Sequence, residues 1–432
     1  MTHKPSGPRP ARPPRGAQPR NRFLLALLAL VLLAFLASLP WQIRNWREAS
    51  ALRRDTSRQQ AYLQQLQQAQ GDLRRAQDAA RATPDDPNAG LALAQQLIQN
   101  RDFPGAAAQL HALEPAAMHS SDLAGAAAEL YQKIGYTDRA VALARLALRL
   151  APDSPQAALQ LGVLDMQIGW QAPGQALLNR AARALPNSAE PHLALALAAN
   201  QSGAYKDAER ELIAADKLRP DDWHIATLLA DNRSAQGRDA EALQSVADAL
   251  RLAPQEASLY AQQAQIRLSQ AQAQGAGKTP DITAVVQSAR QCLALDPDNA
   301  GAYDTLGRAY REAEQGADAR REWERAHVLA PSDALLGYNL GRMRIEQGDR
   351  VTGQALLAEA THQREEAAAY DRLVVTAGEK PGLPEGHRLL ARWCQSHGRP
   401  SRAIFEWQEV LSLLPQDAEA RQGAARLIKQ RG

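Results

Sequence analysis

The sequence predicts an all-α protein: a solenoid of about nine helix–turn–helix units behind one apolar N-terminal segment and a helical stalk. Three observations carry that prediction. Helix-closing prolines recur at Pro152, Pro186, Pro220 and Pro254, 34 residues apart each time, and Pro297 and Pro331 repeat the interval. Of the 432 residues 45% are hydrophobic but only 5% aromatic, so the apolar content is largely Ala and Leu, both strong helix formers. Residues 23–40, FLLALLALVLLAFLASLP, form one uninterrupted apolar run.

Taken in order, residues 1–22 are rich in Pro and Arg and hold no acidic group, so they predict a disordered basic tail. The run that follows assigns a transmembrane helix to residues 23–41, because eighteen helical residues rise about 27 Å, close to the hydrocarbon thickness of a bilayer. Trp41 and Trp46 come next, where amphipathic rings favour the headgroup layer. Lys4, Arg9, Arg12, Arg15, Arg20 and Arg22 precede the run and favour a cytoplasmic N-terminus. A cleavable signal peptide would need small residues one and three positions before the cut, but Ala37 pairs with Leu39 and Ser38 with Pro40. The expectation is therefore an uncleaved single-pass protein of the inner (cytoplasmic) membrane, touching the lipid bilayer through residues 23–41, with its repeats on the periplasmic side.

Residues 42–83 are charged and Gln-rich and read as a helical stalk. Its heptad register through Leu52, Leu63, Leu66 and Leu73 is only partly apolar, a coiled-coil pattern that would allow self-association. The solenoid occupies residues 84–417, with two departures from the period. Extra residues near 271–279 lengthen one inter-helix turn, and a surplus near 368–384, containing Gly378, Pro381, Gly382 and Pro384, predicts an irregular break in the stack. Residues 418–432 read as a C-terminal capping helix with a polar outer face, which an open-ended repeat array needs.

The best unit, Gly301 to Pro331, places Tyr303, Leu306, Gly307 and Tyr310 on a first helix and Ala319, Trp323, Ala326 and Pro331 on a second. Other units repeat this grammar, with Leu161, Gly162, Gly169, Ala181 and Pro186 in one and Leu390, Gly398, Ala403, Trp407 and Pro415 in the last. The pattern resembles the tetratricopeptide repeat (TPR), over roughly residues 87–417. The resemblance implies an α-solenoid whose inner face, lined by the first helix of each unit, receives protein or peptide segments. Three membrane-tethered repeat families share the outline: accessory proteins of the bacterial secretion channel, proteins that present apocytochrome segments for cytochrome c maturation, and the lipopolysaccharide assembly protein B group. The last ends in a module with paired C-x-x-C motifs, which this sequence lacks.

The GAGKT stretch at Gly275–Thr279 has Gln272 where a phosphate-binding loop needs glycine, and a helix precedes it instead of a strand. The nine histidines show no metal-ligand spacing and are expected on solvated faces, while Cys292 and Cys394 are expected as buried small hydrophobes. A formal charge of +3 on 50 basic and 47 acidic residues argues against nucleic acid as a partner. No catalytic residue, metal or cofactor is expected.

The first-helix positions that the resemblance assigns to the groove are Leu159, Val163, Met166, Leu193, Leu197 and Asn200, then Arg308, Arg311, Tyr338, Arg342, Arg388 and Arg392. They predict an apolar half suited to an amphipathic or extended segment and a basic half suited to carboxylates. The function expected is a membrane-anchored, non-enzymatic adaptor in envelope protein assembly, secretion or cytochrome c maturation, with an oligomeric membrane organiser or a regulatory subunit of an enzyme complex as the alternatives.

Overall fold

A computed structural model describes residues 64, 67–274 and 279–431. The chain divides into two compact units, Met1–Asp78 and Ala79–Gly432. Helix α1 covers residues 67–82. The tail 1–22, the apolar run 23–41 and the stalk up to residue 63 lie outside the described residues.

One expectation is corrected. Among the described residues no helix is long and apolar enough to cross a membrane, so the single-pass inner-membrane placement with periplasmic repeats is not supported. The physical reason is length and charge. Most repeat helices have 13 or 14 residues, a rise of about 20 Å against a hydrocarbon core of about 30 Å, and the one 30-residue helix carries Arg364, Glu365, Glu366, Asp371 and Arg372 along its middle.

The second unit is built of helix pairs: α2 (Pro87–Gln99) with α3 (Phe103–Ala117), α4 (Ser121–Lys133) with α5 (Thr137–Leu150), α6 (Pro155–Gln167) with α7 (Gln171–Ala184), α8 (Ala189–Gln201) with α9 (Tyr205–Leu218) and α10 (Trp223–Ala235) with α11 (Asp239–Leu252). These are followed by α12 (Ala257–Gln274) with α13 (Thr283–Leu295), α14 (Ala300–Glu312) with α15 (Gly316–Leu329), α16 (Ala334–Glu346) with α17 (Arg350–Glu379), α18 (Pro384–Ser396) with α19 (Pro400–Leu413), and a last helix α20 (Ala418–Arg431).

Local chemistry sets these boundaries. Asp86, Ser120, Ser154, Asp222, Asn299 and Asp333 each accept a backbone N–H of the helix they precede, satisfying donors that have no intrahelical partner. Proline stands in the first turn of α2, α6, α18 and α19, where its missing N–H costs nothing. Between the two helices of a unit the chain reverses through one residue with positive φ: Gly135, Gly169, Gly203, Gly237, Gly348 and Gly398, but Arg101 and Glu314 in two units. Within a unit the helices meet at small residues. A Cβ on Gly162 would come within 3.1 Å of the Gly174 carbonyl, and one on Gly341 within 2.9 Å of that of Gly353.

The core runs along the stack as separate apolar clusters, one around α3–α6, one around α12–α16 and one around α17–α20 among them, as nearest-neighbour packing of repeats requires. Trp323 and Trp407 are the largest side chains fully buried, each against a glycine of the neighbouring helix, Gly307 and Gly423.

Most of the stretch 368–384, where an irregular break is expected, is helix: residues 368–379 belong to α17, and a turn at 380–383 precedes α18. Residues 354–377 contain neither Gly nor Pro and are rich in Ala, Glu, Arg and Leu, so α17 continues unbroken to Glu379, about twice the length of its counterparts. Its extra turns carry the last pair back onto the early repeats. α19 packs on α5, and Phe405 of α19 joins the apolar cluster built by residues 94–168. This unit is thus a stack closed on itself.

Candidate functional site

The groove positions named from the sequence fall into three environments. Leu159 and Val163 of α6, with Ser121, Gly125 and Glu129 of α4, line a groove of about 480 Å³ between two successive first helices. Met166 borders a second hollow toward α8, of about 430 Å³, with Leu195 and Ala198. Leu193 packs half-buried in the α8–α10 cluster, whereas Leu197, one turn on, is 47% exposed.

Asn200 has a different role. Its Oδ1 accepts the Asn232 side-chain amide at 2.6 Å, one rung of a set of polar bonds between successive first helices. Gln160 donates to the Gly125 carbonyl at 2.6 Å, Gln132 to Gln167 at 2.7 Å, Gln262 to Asp231 at 2.6 Å, and Asn339 to Asp304 at 3.4 Å. The bonded residues are 31 to 35 positions apart, close to one repeat period. Each fixes the register of one unit on the next and takes an amide out of the set available to a ligand.

The basic positions lie on the first helices of their units and are each held by acidic neighbours or aromatic rings. Arg308 lies 4.0 Å from Asp304, Arg311 3.3 Å from Glu312 and Arg342 3.4 Å from Glu346. Tyr338 stacks under the guanidinium of Arg364 at 4.6 Å. Arg388 donates to Asp417 at 2.7 Å, and Arg392 grips Glu419 at 2.6 Å. The Arg392 hydrogen bond draws the Glu419 carboxyl below its ordinary range. Sequence spacing found the arginines but not their partners, most of which lie within a turn or one helix away.

The structure also assembles a cluster that residue spacing did not disclose, where the stack closes. Gly169 and Trp170 form the turn between α6 and α7, and α17 ends against it: a Cβ on Gly378 would collide with the Gly169 carbonyl. Above the turn, Arg402 donates to the Ile168 carbonyl at 2.8 Å and pairs with Glu406 at 2.7 Å. Arg145 of α5 donates to Glu409 at 2.5 Å while its guanidinium lies 4.6 Å over the Trp170 ring. His387 of α18 is fully buried, edge-on to Trp170, with Nδ1 2.6 Å from Glu406 and Nε2 3.1 Å from the Pro381 carbonyl. The expectation of a solvated imidazole at this position is therefore wrong. Helix position gave no hint that α5 and the α6–α7 turn lie across from it.

Electrostatics in this contact follow from burial. Asp165, 3% exposed, has its pKa pushed up to about 7, by burial first; Arg145 opposes the rise and Glu409 adds to it. Burial alone would pull the His387 imidazole down, but the hydrogen bond and charge of Glu406 and the Pro381 carbonyl lift it above its ordinary value. Burial pushes both thiols, Cys292 and Cys394, up to about 11, so each stays protonated. Among the described residues no group of three or more His, Cys, Asp and Glu side chains is placed to hold a metal ion.

No protein-family model matches the chain, and no curated protein matches it either. Solved structures do. A human IFIT1 dimer with m7Gppp-AAAA matches at 16% identity and a TM-score of 0.50, over 83% of this chain and 89% of that one. The Cut9–Hcn1 hetero-tetramer of APC/C matches at 15% identity and 0.43, over 83% and 67%. MamA matches at 19% and 0.32, over 40% and 95%. These are TPR-type helical repeat proteins, and the fold of this chain is TPR-like.

Proposed function

We propose that the protein is a non-enzymatic scaffold whose first helices receive an apolar, amphipathic segment of another protein. The observation that carries this reading is the apolar stretch of the inner face from α4 to α8. There Leu159 and Val163 border an open groove and Leu197 projects nearly half exposed, an arrangement that strands apolar surface in water unless a partner covers it. The arginine half supports the reading less. Its guanidiniums already have carboxylates, and an acidic ligand would have to displace them. Envelope protein assembly, secretion and cytochrome c maturation are finer proposals that the identity of the bound segment would separate.

The test is a binding titration of amphipathic helical peptides against the full chain and a Val163→Glu, Leu197→Glu double variant. Binding should weaken at least about tenfold, the equivalent of about 1.4 kcal/mol, because two carboxylates would be desolvated under the peptide. Unchanged affinity would remove the groove from consideration. A control, Arg308→Glu with Arg342→Glu and Arg388→Glu, should alter affinity less than the apolar pair.

A further inference from the structure

We infer that closure of the repeat stack is proton-coupled: the contact of α19 with α5 and the α6–α7 turn is a latch that holds one proton more when shut than when open. The argument begins with a count of charges. The contact buries three carboxyl groups, Asp165, Glu406 and Glu409, with the guanidinium of Arg402, that of half-buried Arg145, and one imidazole, His387. Guanidinium stays charged at any accessible pH, so three carboxylates against two cations leave one excess negative charge. Burying uncompensated charge is costly, and the contact is neutral only when a proton sits on His387 or on one of the acids.

Geometry offers places for that proton. His387 Nδ1 is 2.6 Å from Glu406, so an imidazolium would form a charge-assisted bond there. Asp165 Oδ1 is buried without a hydrogen-bond partner, and so are Arg145 Nη2, Arg402 Nε and Trp170 Nε1 around it. α5 contributes Arg145 and, in its first turn, buried Asp138 with Arg139 3.8 Å away, a pair that leaves the balance unchanged; α6 contributes Asp165, α18 His387 and Cys394, and α19 Arg402, Glu406 and Glu409. α17 meets the turn with Val374 and Gly378. Arg388, adjacent to His387, is already held by Asp417, and Arg399 stacks on Tyr370. The Cys394 thiol keeps its own proton, with its pKa pushed up to about 11 by burial.

The direction follows. Both proton-binding groups sit above their solvated values in the shut form, Asp165 at about 7 and His387 raised. Their contribution to closure is therefore fully present in acid, below the solvated pKa values, and is lost as pH rises through about 7. Where only the shut form holds the extra proton, the shut-to-open ratio falls by up to ~tenfold per pH unit.

The test uses the full chain with fluorophores on Arg149→Cys of α5 and Ser412→Cys of α19, both exposed, while the native cysteines are buried. Energy transfer is followed through urea titrations at several pH values from about 5.5 to about 8.5. The urea midpoint for loss of transfer should drop as pH rises through about 7. Asp165→Asn, nearly isosteric, leaves two acids against two guanidiniums, so its midpoint should fall less with pH than that of the wild type, with only His387 beside Glu406 left to titrate. Glu409→Gln provides a second route to the same balance should the first variant misfold by circular dichroism. A wild-type midpoint that does not change with pH overturns the proposal, and so does a pH dependence that both variants retain in full.

Discussion

At the scale of single residues, position within the repeat decides what a side chain does. Trp323 is buried against Gly307 and donates its indole N–H to Asp304 at 2.8 Å. Burial lifts the Asp304 carboxyl, while the bonds from Trp323 and Asn339 and the charge of Arg308 pull it back. Trp323→Ala should therefore cost about 3–5 kcal/mol in urea unfolding, at the upper end of large-to-small changes, since it also strips a donor from a half-buried acid. Glu314 occupies the positive-φ place, φ 59°, that glycine holds in most units. Glu314→Gly should raise stability by about 0.5–1 kcal/mol in the same assay, as left-handed backbone is strained with a side chain and free without one. Cys292 and Cys394 should resist alkylation in the native protein at mildly alkaline pH and react once urea unfolds it; rapid native labelling of either would contradict their burial.

At the scale of elements, the sequence was legible wherever contacts are local. Pro152, Pro186 and Pro220 fix the period because each ends a helix by its own covalent geometry, and Gly307 opposite Trp323 declares a close approach within a few turns of chain. Gly378, Pro381, Gly382 and Pro384 cluster at the end of α17 and suggest a break, while the Ala- and Glu-rich run before them continues as helix. The closing contact was illegible because Arg402 and the Ile168 carbonyl are 234 positions apart, and no local pattern reports such a distance. One signal was available. Arg402, Glu406 and Glu409 lie beside Ala403, Trp407 and Val410 on α19, and charges on a face otherwise apolar point to a polar surface across from it. The named groove positions lie on first helices of their units, and among them Asn200 accepts from Asn232 of the next repeat. Gly378→Ala should weaken closure at every pH alike, because the added methyl meets the Gly169 backbone and not a titrating group. Retained energy transfer between the labelled helices would disprove that reading.

At the scale of the repeat unit, closure changes how unfolding should proceed. An open stack unfolds by nearest-neighbour steps, and its ends fray first. Here Phe405 ties the last pair into the first apolar cluster, so Trp170 fluorescence and far-UV circular dichroism should report one coincident urea transition. Arg402→Ala, which removes the bond to Ile168 and leaves Glu406 buried beside His387, should separate the two signals. A single transition in that variant would mean that the α19 contact adds no cooperativity.

The length of α17 then acquires a meaning that loops in the stack do not have. It is a gauge bar, 30 residues from Arg350 to Glu379, with one end fixed in the α16 pairing and the other seated on Gly169. Removing one residue from its interior would turn Gly378 by about 100° and withdraw it by about 1.5 Å, presenting a different side chain to the turn. Insertions within α17 would unseat the whole C-terminal pair, so the distance across the unit is kept as a residue count along a single helix.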